Sequence, residues 1–280
     1  MAISILGCEP VDVPEPPQPT GPLTDTTILN IPYGSNASQK FDLGLPAGRT
    51  SATALVVAIH GGGWSTGDKA ELNWMLNGLK KRGFAVANIN YQLVLNTPDN
   101  YKMQMDDVDS AVKFVLRTAA QYTFNGDKAY MAGHSAGGHL ALCYTYSRNS
   151  TGKIKAVASL AGPTNLFSMV YYNAVIYDPL LKPYLGVSLF PITPATEDRY
   201  KSTSPFYQAT ASSAATIFLH GEFDPVVNID QSTSLSAKLL SLGVDKKMIS
   251  YPLTFHDWWT DPTKTNNTLD EIKAWFNGHP

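Results

Sequence analysis

The stretch that most constrains this chain is Tyr130–Tyr144, which reads YMAGHSAGGHLALCY. An apolar, strand-like segment leads into GHSAG at residues 133–137, and a helix pattern of small residues continues to Ser147. The pattern predicts a strand that turns sharply into a helix at Ser135, because a Cβ on either flanking glycine would collide with neighbouring backbone. Such a turn exposes the Ser135 hydroxyl and puts the Ala136 N–H at a helix N-terminus, where the helix dipole favours negative charge.

The composition is that of an ordinary globular protein. The chain has 280 residues, of which 44% are hydrophobic and 16% charged, and its formal net charge is −2. This weak charge argues against a nucleic-acid partner or an anionic membrane surface. Two cysteines, Cys8 and Cys143, are too few for a disulfide framework, and no C-x-x-C pair indicates a zinc site. No apolar run approaches the roughly 18–20 residues of a membrane span.

The first 25 residues differ from the rest of the chain. The segment ILGC at residues 5–8 resembles the end of a bacterial lipoprotein signal, although its apolar part is short and no basic segment precedes it. A proline-rich acidic run follows Cys8 and is typical of an extended tether. We expect a disordered tether over residues 1–25 and a folded domain over residues 26–280. The expected location is the cell envelope or the exterior if Cys8 is lipidated, and the cytoplasm otherwise.

Strand patterns alternate with helix patterns from residue 26 onwards. An opening hairpin over residues 26–45 is followed by apolar runs such as Ala54–Ile59, which are typical of strands buried on both faces. This alternation predicts an α/β fold with a mostly parallel central sheet and helices on both faces.

The sequence HGGGW at residues 60–64 directly follows that buried strand. Three glycines let backbone N–H groups approach a ligand, and ligands bind at the carboxyl ends of strands in open α/β sheets. Such N–H groups can stabilise a developing oxyanion, which a serine nucleophile requires. The competing interpretation, a merely flexible loop, loses weight once Ser135 is considered.

The stretch Leu166–Tyr207 interrupts the alternation of strands and helices. It holds many aromatic residues and several prolines, and its pattern indicates no regular element. We predict an irregular insertion that serves as a lid or a pocket wall. The alternative is a surface excursion whose aromatic side chains pack on the core.

A serine hydroxyl needs a base to remove its proton, and a carboxylate that orients this base. Of the six histidines, only His256 lies in a polar loop beyond the last predicted strand, so we expect it to be the base. The others lie in the glycine loop, the turn at the serine, the next helix, a strand end and the chain terminus: His60, His134, His139, His220 and His279.

The candidate acid is Asp224, which follows the predicted strand Thr216–His220. Glu222 and Asp230 compete with it. Glu222 lies very close to the strand end, and Asp230 falls within the next predicted helix. The resulting chain order of serine, acid and histidine is the one expected for this kind of sheet.

Four segments together, HGGGW, GHSAGG, HGEFDPV and the late FHD, resemble the α/β-hydrolase esterases. The group that they resemble comprises bacterial carboxylesterases and feruloyl-esterase-like proteins related to the hormone-sensitive lipase family, and the resemblance spans roughly residues 26–280. It implies ester hydrolysis without a metal or cofactor, in which Ser135 attacks, His256 shuttles the proton and Asp224 holds the histidine. It also implies an oxyanion hole formed by the N–H groups of Gly62, Gly63 and Ala136.

The substrate implied by the resemblance is a small molecule, a short-chain, aryl or carbohydrate ester. We expect Trp64, His134 and Trp258 to contact it. Trp258 and Trp259 would narrow the pocket or offer an aromatic platform, and one of the two could belong to the core instead.

Three other functions remain open. An arylformamidase is the main alternative, because that family shares an HGG-x-W motif and a similar serine turn. A peptidase of the prolyl-oligopeptidase type shares the fold, but its propeller domain has no counterpart in these 280 residues. A catalytically silent binding protein would not need the three catalytic groups together with the glycine loop.

Overall fold

The computed structural model describes residues 23–95 and 99–280. A single eight-stranded sheet forms the centre of the described part. Its strands are β1 (Thr26–Pro32), β2 (Lys40–Leu45), β3 (Leu55–Ile59), β4 (Ala85–Ile89), β5 (Ala129–His134), β6 (Ile154–Leu160), β7 (Ala215–Gly221) and β8 (Lys246–Tyr251).

The sheet is parallel except at one edge, in the order β1-β2-β4-β3-β5-β6-β7-β8. β1 and β2 form the predicted antiparallel hairpin, and β2 also pairs antiparallel with β4. All residues of β3, β4 and β5 are buried, which explains their continuous apolar sequences. Since parallel strands end at the same edge, the loops after β3, β5, β7 and β8 converge there.

Helices cover both faces of this sheet, as the alternation of patterns predicts. They are α1 (Asn73–Lys81), α2 (Asn100–Arg117), α3 (Ala119–Tyr122), α4 (Ala136–Ser147), α5 (Leu166–Tyr172), α6 (Ala174–Leu185), α7 (Pro194–Ser202), α8 (Pro205–Gln208), α9 (Asp230–Ser241) and α10 (Pro262–Gly278), and a 3₁₀ turn over Lys69–Leu72 precedes α1.

The core is divided between the two faces of the sheet. Leu79 of α1 and Ile272 of α10 belong to the apolar cluster on one face. Val108 of α2, Leu140 of α4 and Leu239 of α9 belong to the cluster on the other face. Alternate residues of β3 contribute to the two clusters in turn, because successive side chains of a strand point in opposite directions.

The insertion at residues 166–207 is helical, so the prediction of an irregular stretch is wrong. It contains the four helices α5 to α8. Pro179 and Pro183 lie inside α6, a position that disfavours a helix and hides it from sequence patterns. Leu181 and Tyr184 are fully buried and anchor α6 on the rest of the domain, so tertiary packing outweighs the cost of the prolines.

The last helix also begins earlier than its apolar pattern indicates. α10 starts at Pro262, whereas its buried residues begin only at Thr268 and Leu269. The Asp261 carboxylate accepts hydrogen bonds from the Thr263 and Lys264 N–H groups, and Pro262 occupies the first turn, where a missing N–H costs nothing. The first turns are polar because they face solvent, which leaves no hydrophobic period to detect.

Residues 1–22 of the predicted tether, Cys8 among them, lie outside the described residues. The predicted tether extends to residue 25, but Asp25 accepts a hydrogen bond from the Lys80 Nζ at 2.6 Å. Among the helices of residues 23–95 and 99–280, none combines the length and the apolar character needed to cross a membrane.

Candidate active site

Ser135 occupies the junction between β5 and α4. Its backbone has φ 52° and ψ −123°, a strained conformation for a residue that carries a Cβ. A Cβ on Gly133 would lie 2.3 Å from the Gly137 carbonyl oxygen, and a Cβ on Gly137 would lie 2.1 Å from the Ile59 carbonyl oxygen. Only glycine fits at these two positions, and the sharp turn holds Ser135 at the carboxyl edge of the sheet.

The glycine-rich segment after β3 lies directly against this turn. A Cβ on Gly61 would stand 3.1 Å from the Ser135 Cβ. Gly62 and Gly63 have φ angles of +101° and +56°, which residues with a side chain rarely adopt. The segment therefore brings bare backbone to the side of the serine.

Three backbone N–H groups near Ser135 are free to bind an anion. Those of Gly62, Gly63 and Ala136 have no hydrogen-bond partner within the described part of the chain. The Ala136 N–H also opens a twelve-residue helix, whose dipole adds to the attraction for negative charge. The structure thus brings together the three residues that are predicted to form the oxyanion hole.

His60 and Tyr91 hold the glycine loop from behind. The His60 Nδ1–H donates to the Gly61 carbonyl oxygen at 2.8 Å, and the Tyr91 hydroxyl donates to the His60 carbonyl oxygen at 3.1 Å. The two rings stack with their centroids 4.5 Å apart. Burial lowers the pKa of His60, so its ring is neutral at neutral pH. No sequence motif marks Tyr91, which follows β4 at this edge of the sheet.

Asp224 and His256 form a hydrogen-bonded pair. The His256 Nδ1 lies 2.6 Å from the Asp224 Oδ2. Because a carboxylate oxygen only accepts, Nδ1 carries the proton and Nε2 keeps a lone pair. The other carboxylate oxygen accepts the N–H groups of Val226 and Val227, both at 2.8 Å. These bonds fix the carboxylate, and the carboxylate in turn fixes the tautomer and direction of the imidazole.

His220 also contacts the Asp224 carboxylate. No sequence motif indicates this supporting role. The His220 Nε2 lies 3.3 Å from the Asp224 Oδ2 and donates to the Val227 carbonyl oxygen at 2.8 Å, while its Nδ1 accepts the Ser232 hydroxyl at 2.7 Å. Burial raises the pKa of Asp224, but hydrogen bonds from His220, His256 and the Val227 N–H outweigh it and hold the pKa well below its usual range. The carboxylate is therefore ionised throughout the neutral range.

The two competing acids lie elsewhere. Glu222 is exposed and accepts the Ser250 hydroxyl at 2.7 Å. Asp230 is the first residue of α9. Within the described residues, neither carboxylate hydrogen-bonds to His256, so only Asp224 has the geometry of an orienting acid.

His134 packs against the loop that carries His256. Its Nε2 lies 3.3 Å from the His256 carbonyl oxygen and 3.6 Å from the Asp257 Oδ1. Burial, and secondarily the charge of His256, lower the pKa of His134 to about 3, so its ring is neutral at working pH. His134 borders the cleft in front of Ser135, which is consistent with the expected contact to a ligand.

The two predicted tryptophan contacts have different outcomes. Trp64 is buried, with its ring stacked on Tyr184 at 4.5 Å, and it borders a small cavity beside Ser135. Trp258 is also buried, but it donates its Nε1–H to the Thr268 hydroxyl at 2.9 Å within the core beneath α10. This corrects the expectation for Trp258, because the half-buried Trp259 borders the cleft instead.

Two cavities meet at Ser135. A cleft of about 430 Å³, called the polar cleft here after its ionisable residues, has Glu71, His134, His256, Asp257 and Trp259 among its lining residues. An apolar cavity of about 250 Å³ lies between Ser135 and the insertion, and its walls include Ala136, Met169, Ile176, Leu180 and Val226.

The arrangement places a serine hydroxyl, a histidine oriented by a buried carboxylate, and backbone N–H groups that are unpaired within the described residues around one cleft. It can therefore attack a carbonyl carbon and stabilise the resulting oxyanion. Among the described residues, His134, His256 and Asp257 also offer three metal-ligand atoms within 4.8 Å of one another.

Comparison with known sequences points to one family. A family model described as BD-FAE matches residues 41–239. The probable isoprenylcysteine alpha-carbonyl methylesterase ICMEL1 of Arabidopsis thaliana is 27% identical over 245 residues, which cover 79% of this chain and 49% of that protein. Kynurenine formamidase of Salmo salar is 30% identical over 158 residues, which cover 55% of this chain and 51% of that protein. The chain thus spans about half the length of these curated relatives.

Comparison with solved structures supports the α/β-hydrolase fold. A truncated carbohydrate esterase from gut microbiota superposes with a TM-score of 0.72 and 22% identity, over 92% of this chain and all of that one. A thermophilic esterase from the Planctomycetes species Thermogutta terrifontis gives a TM-score of 0.69 and 19% identity, over 89% of this chain and 91% of that one. At these identities the likeness concerns the fold alone.

Replacing Asp224 with asparagine should lower kcat for ester hydrolysis by about 10³- to 10⁴-fold, because an amide holds the wrong His256 tautomer. The measurement is steady-state hydrolysis of p-nitrophenyl acetate. Glu222→Gln is the matched control, since it removes a nearby carboxylate that binds Ser250 instead, and it should stay within a few-fold of wild type. A large loss in Glu222→Gln together with full activity in Asp224→Asn would reverse the assignment.

Proposed function

Because the chain belongs to the BD-FAE family, we propose that it is a serine carboxylic-ester hydrolase in which Ser135, His256 and Asp224 form the catalytic triad. The observation that carries this proposal is the 2.6 Å bond from His256 to the buried Asp224 carboxylate, on a histidine that shares one cleft with the strained Ser135. A fold likeness alone would not support the activity, since this fold hosts many functions.

The first half of the reaction forms an acyl-enzyme. The His256 Nε2 takes the Ser135 hydroxyl proton as Oγ bonds to the ester carbonyl carbon, and the carbonyl π electrons move onto oxygen. The N–H groups of Gly62, Gly63 and Ala136 stabilise that oxyanion. When the oxyanion collapses, the C–O bond to the alcohol breaks and His256 returns its proton to the leaving oxygen.

The second half regenerates the serine. Water enters the site, His256 takes one of its protons, and the hydroxide oxygen bonds to the acyl carbon. Collapse of this second oxyanion expels the Ser135 Oγ, which recovers its proton from His256, and the carboxylic acid departs. The Asp224 carboxylate stabilises the imidazolium in both halves without taking its proton.

The two cavities divide the substrate between them. His256 must reach the leaving oxygen, so the alcohol occupies the polar cleft that His256 lines. The acyl chain then occupies the apolar cavity of about 250 Å³. Leu180 of α6 closes this cavity against the glycine loop, since its Cδ1 lies 3.0 Å from where a Cβ on Gly63 would stand. The acyl group is therefore short.

The polar cleft favours a hydroxyl-bearing or aromatic alcohol. Glu71 and Asp257 supply carboxylate oxygens that accept hydrogen bonds from hydroxyl groups. Trp259, which stacks on Trp74 at 5.8 Å, supplies an aromatic wall. Carbohydrate and aryl esters fit both features. In this arrangement His134 and Trp259 contact the alcohol part of the ester, and Trp64 lies beside the acyl part.

An arylformamidase is the second candidate, because kynurenine formamidases are among the curated relatives. A formyl group is the smallest acyl group, and the apolar cavity would accept it. A formamidase gains little from a cavity that also holds longer acyl chains. The apolar side chains that line this cavity, including Met169, Ile176 and Leu180, therefore favour the esterase over the formamidase.

The esterase should hydrolyse p-nitrophenyl acetate and butyrate with kcat/KM at least about 10-fold above that for an N-formyl arylamine, because a formyl group has no carbon chain to bury in the apolar cavity. The measurement compares kcat/KM for the three substrates, with Ser135→Ala as the blank. A formamide preferred over both esters would favour the second candidate, and hydrolysis that persists in the blank would contradict the triad.

Replacing Leu180 with alanine should shift the preference towards longer acyl chains. Each additional CH₂ buried contributes about 0.8 kcal/mol, or roughly fourfold in kcat/KM. The measurement is the ratio of kcat/KM for hexanoate and acetate esters. Leu240→Ala is the control, since Leu240 is 66% exposed and lies on α9 outside the cavity. An unchanged ratio in Leu180→Ala would remove the acyl chain from this cavity.

A further inference from the structure

The polar cleft contains three side chains that could together bind a metal ion. The proposed reaction uses none of them as a metal ligand. His134, His256 and Asp257 place one ligand atom each within 4.8 Å of the others, and the His134 Nε2 lies 3.6 Å from the Asp257 Oδ1. Ligand atoms of a tetrahedral zinc site lie roughly 3.4 Å apart, given metal–ligand distances near 2.0–2.1 Å. The Asp257 side chain is 62% exposed, so it can move to shorten its own distances to the two imidazoles.

The ligand types select the metal. Two imidazoles and one carboxylate suit Zn²⁺ and similar transition-metal ions, whereas Mg²⁺ and Ca²⁺ prefer oxygen ligands throughout. The cleft is open to solvent, so a water molecule can complete the fourth position.

His256 is oriented for a metal, whereas His134 has to change its tautomer. His256 donates its Nδ1–H to Asp224, which leaves Nε2 as its only ligand atom and adds the carboxylate partner that metal-bound histidines commonly have. His134 must move its proton from Nε2 to Nδ1 and give up its long 3.3 Å contact to the His256 carbonyl oxygen.

We propose that this cleft binds one Zn²⁺ through His134, His256 and Asp257, and that the bound ion reversibly inhibits the enzyme. The metal occupies the Nε2 lone pair of His256, so His256 can no longer accept the Ser135 proton. The inhibitory consequence rests on the proposed function, whereas the metal site itself does not.

A purely structural role for His134 is the competing explanation. Its contact with the His256 carbonyl oxygen could simply hold the loop in place. That explanation predicts no specific response to Zn²⁺. A surface pair, His279 and Asp245 at 3.2 Å, offers a second histidine and carboxylate, and it provides a control for weak, unspecific binding.

The first experiment titrates ZnCl₂ into the hydrolysis of p-nitrophenyl acetate in a buffer that does not chelate, with MgCl₂ as the control salt. Saturating one-site inhibition that EDTA reverses is expected, and MgCl₂ should have no effect. Asp257→Asn should raise the Zn²⁺ inhibition constant by about 10-fold or more, because loss of a residue that supports a metal site commonly lowers affinity by that much. The constant is measured against that variant's own uninhibited rate. His279→Gln should leave the constant unchanged.

The second experiment measures binding without activity. Calorimetric titration of Ser135→Ala with ZnCl₂ should give one site, and Co²⁺ should give the visible absorption bands of a tetrahedral complex. Both signals should weaken when Asp257→Asn or His134→Gln is added. Equal binding in all of these variants, or no binding at millimolar Zn²⁺, would overturn the proposal. A protein that binds Zn²⁺ but hydrolyses no ester would retain the site and refute the proposed function instead.

Discussion

The close approach of α4 to the carboxyl end of β3 is the constraint on which the site depends. The α carbon of Gly137 passes so near the Ile59 and His60 carbonyl oxygens that a Cβ would stand 2.1 and 2.4 Å from them. This contact locks two neighbouring strand ends together, one carrying Ser135 and the other the glycine loop. The proposed nucleophile and the N–H groups proposed to stabilise the oxyanion are thus positioned by the same packing, at the cost of the strained Ser135 backbone.

The parallel sheet supplies the remaining groups. β7 and β8 pair in register up to Gly221 and Tyr251, so the loops beyond them start side by side. Asp224 accepts a hydrogen bond from His256 across that short gap. The N–H groups of Val226 and Val227 donate to the other carboxylate oxygen. A carboxylate that is ionised, buried and fully bonded needs no rearrangement when the imidazole becomes charged, which is the condition for electrostatic preorganisation.

Local sequence predicts much of this structure, because several features need particular residues at fixed positions. The glycines around Ser135 are predictable because a Cβ at those positions would collide with neighbouring backbone. Apolar runs in the sequence indicate the buried strands. The helical insertion is missed because tertiary contacts of Leu181 and Tyr184 override two prolines in α6. In the same way, the sequence does not decide which of two adjacent tryptophans enters the cleft, since packing under α10 makes that choice.

The supporting residues escape prediction for a related reason. Tyr91 acts through hydrogen bonds to the His60 and Gly61 carbonyl oxygens, 31 and 30 positions away along the chain. His220 acts through the Val227 carbonyl oxygen, seven positions away in an irregular loop. No motif marks them, because a carbonyl oxygen as partner leaves no trace in the sequence. Tyr91 and His220 fix the direction and rigidity of the groups that are proposed to react. Sequence motifs therefore identify the reacting groups but not the residues that support them.

The central claim is that Ser135 is the nucleophile. The most direct measurement treats the protein with diethyl p-nitrophenyl phosphate, which traps an activated serine covalently, and then maps the adduct by intact-mass and peptide mass spectrometry. One diethylphosphoryl group on the peptide that contains Ser135, absent from the Ser135→Ala variant, is the predicted result. Stoichiometric labelling at another residue, or loss of ester hydrolysis without any label on Ser135, would contradict it.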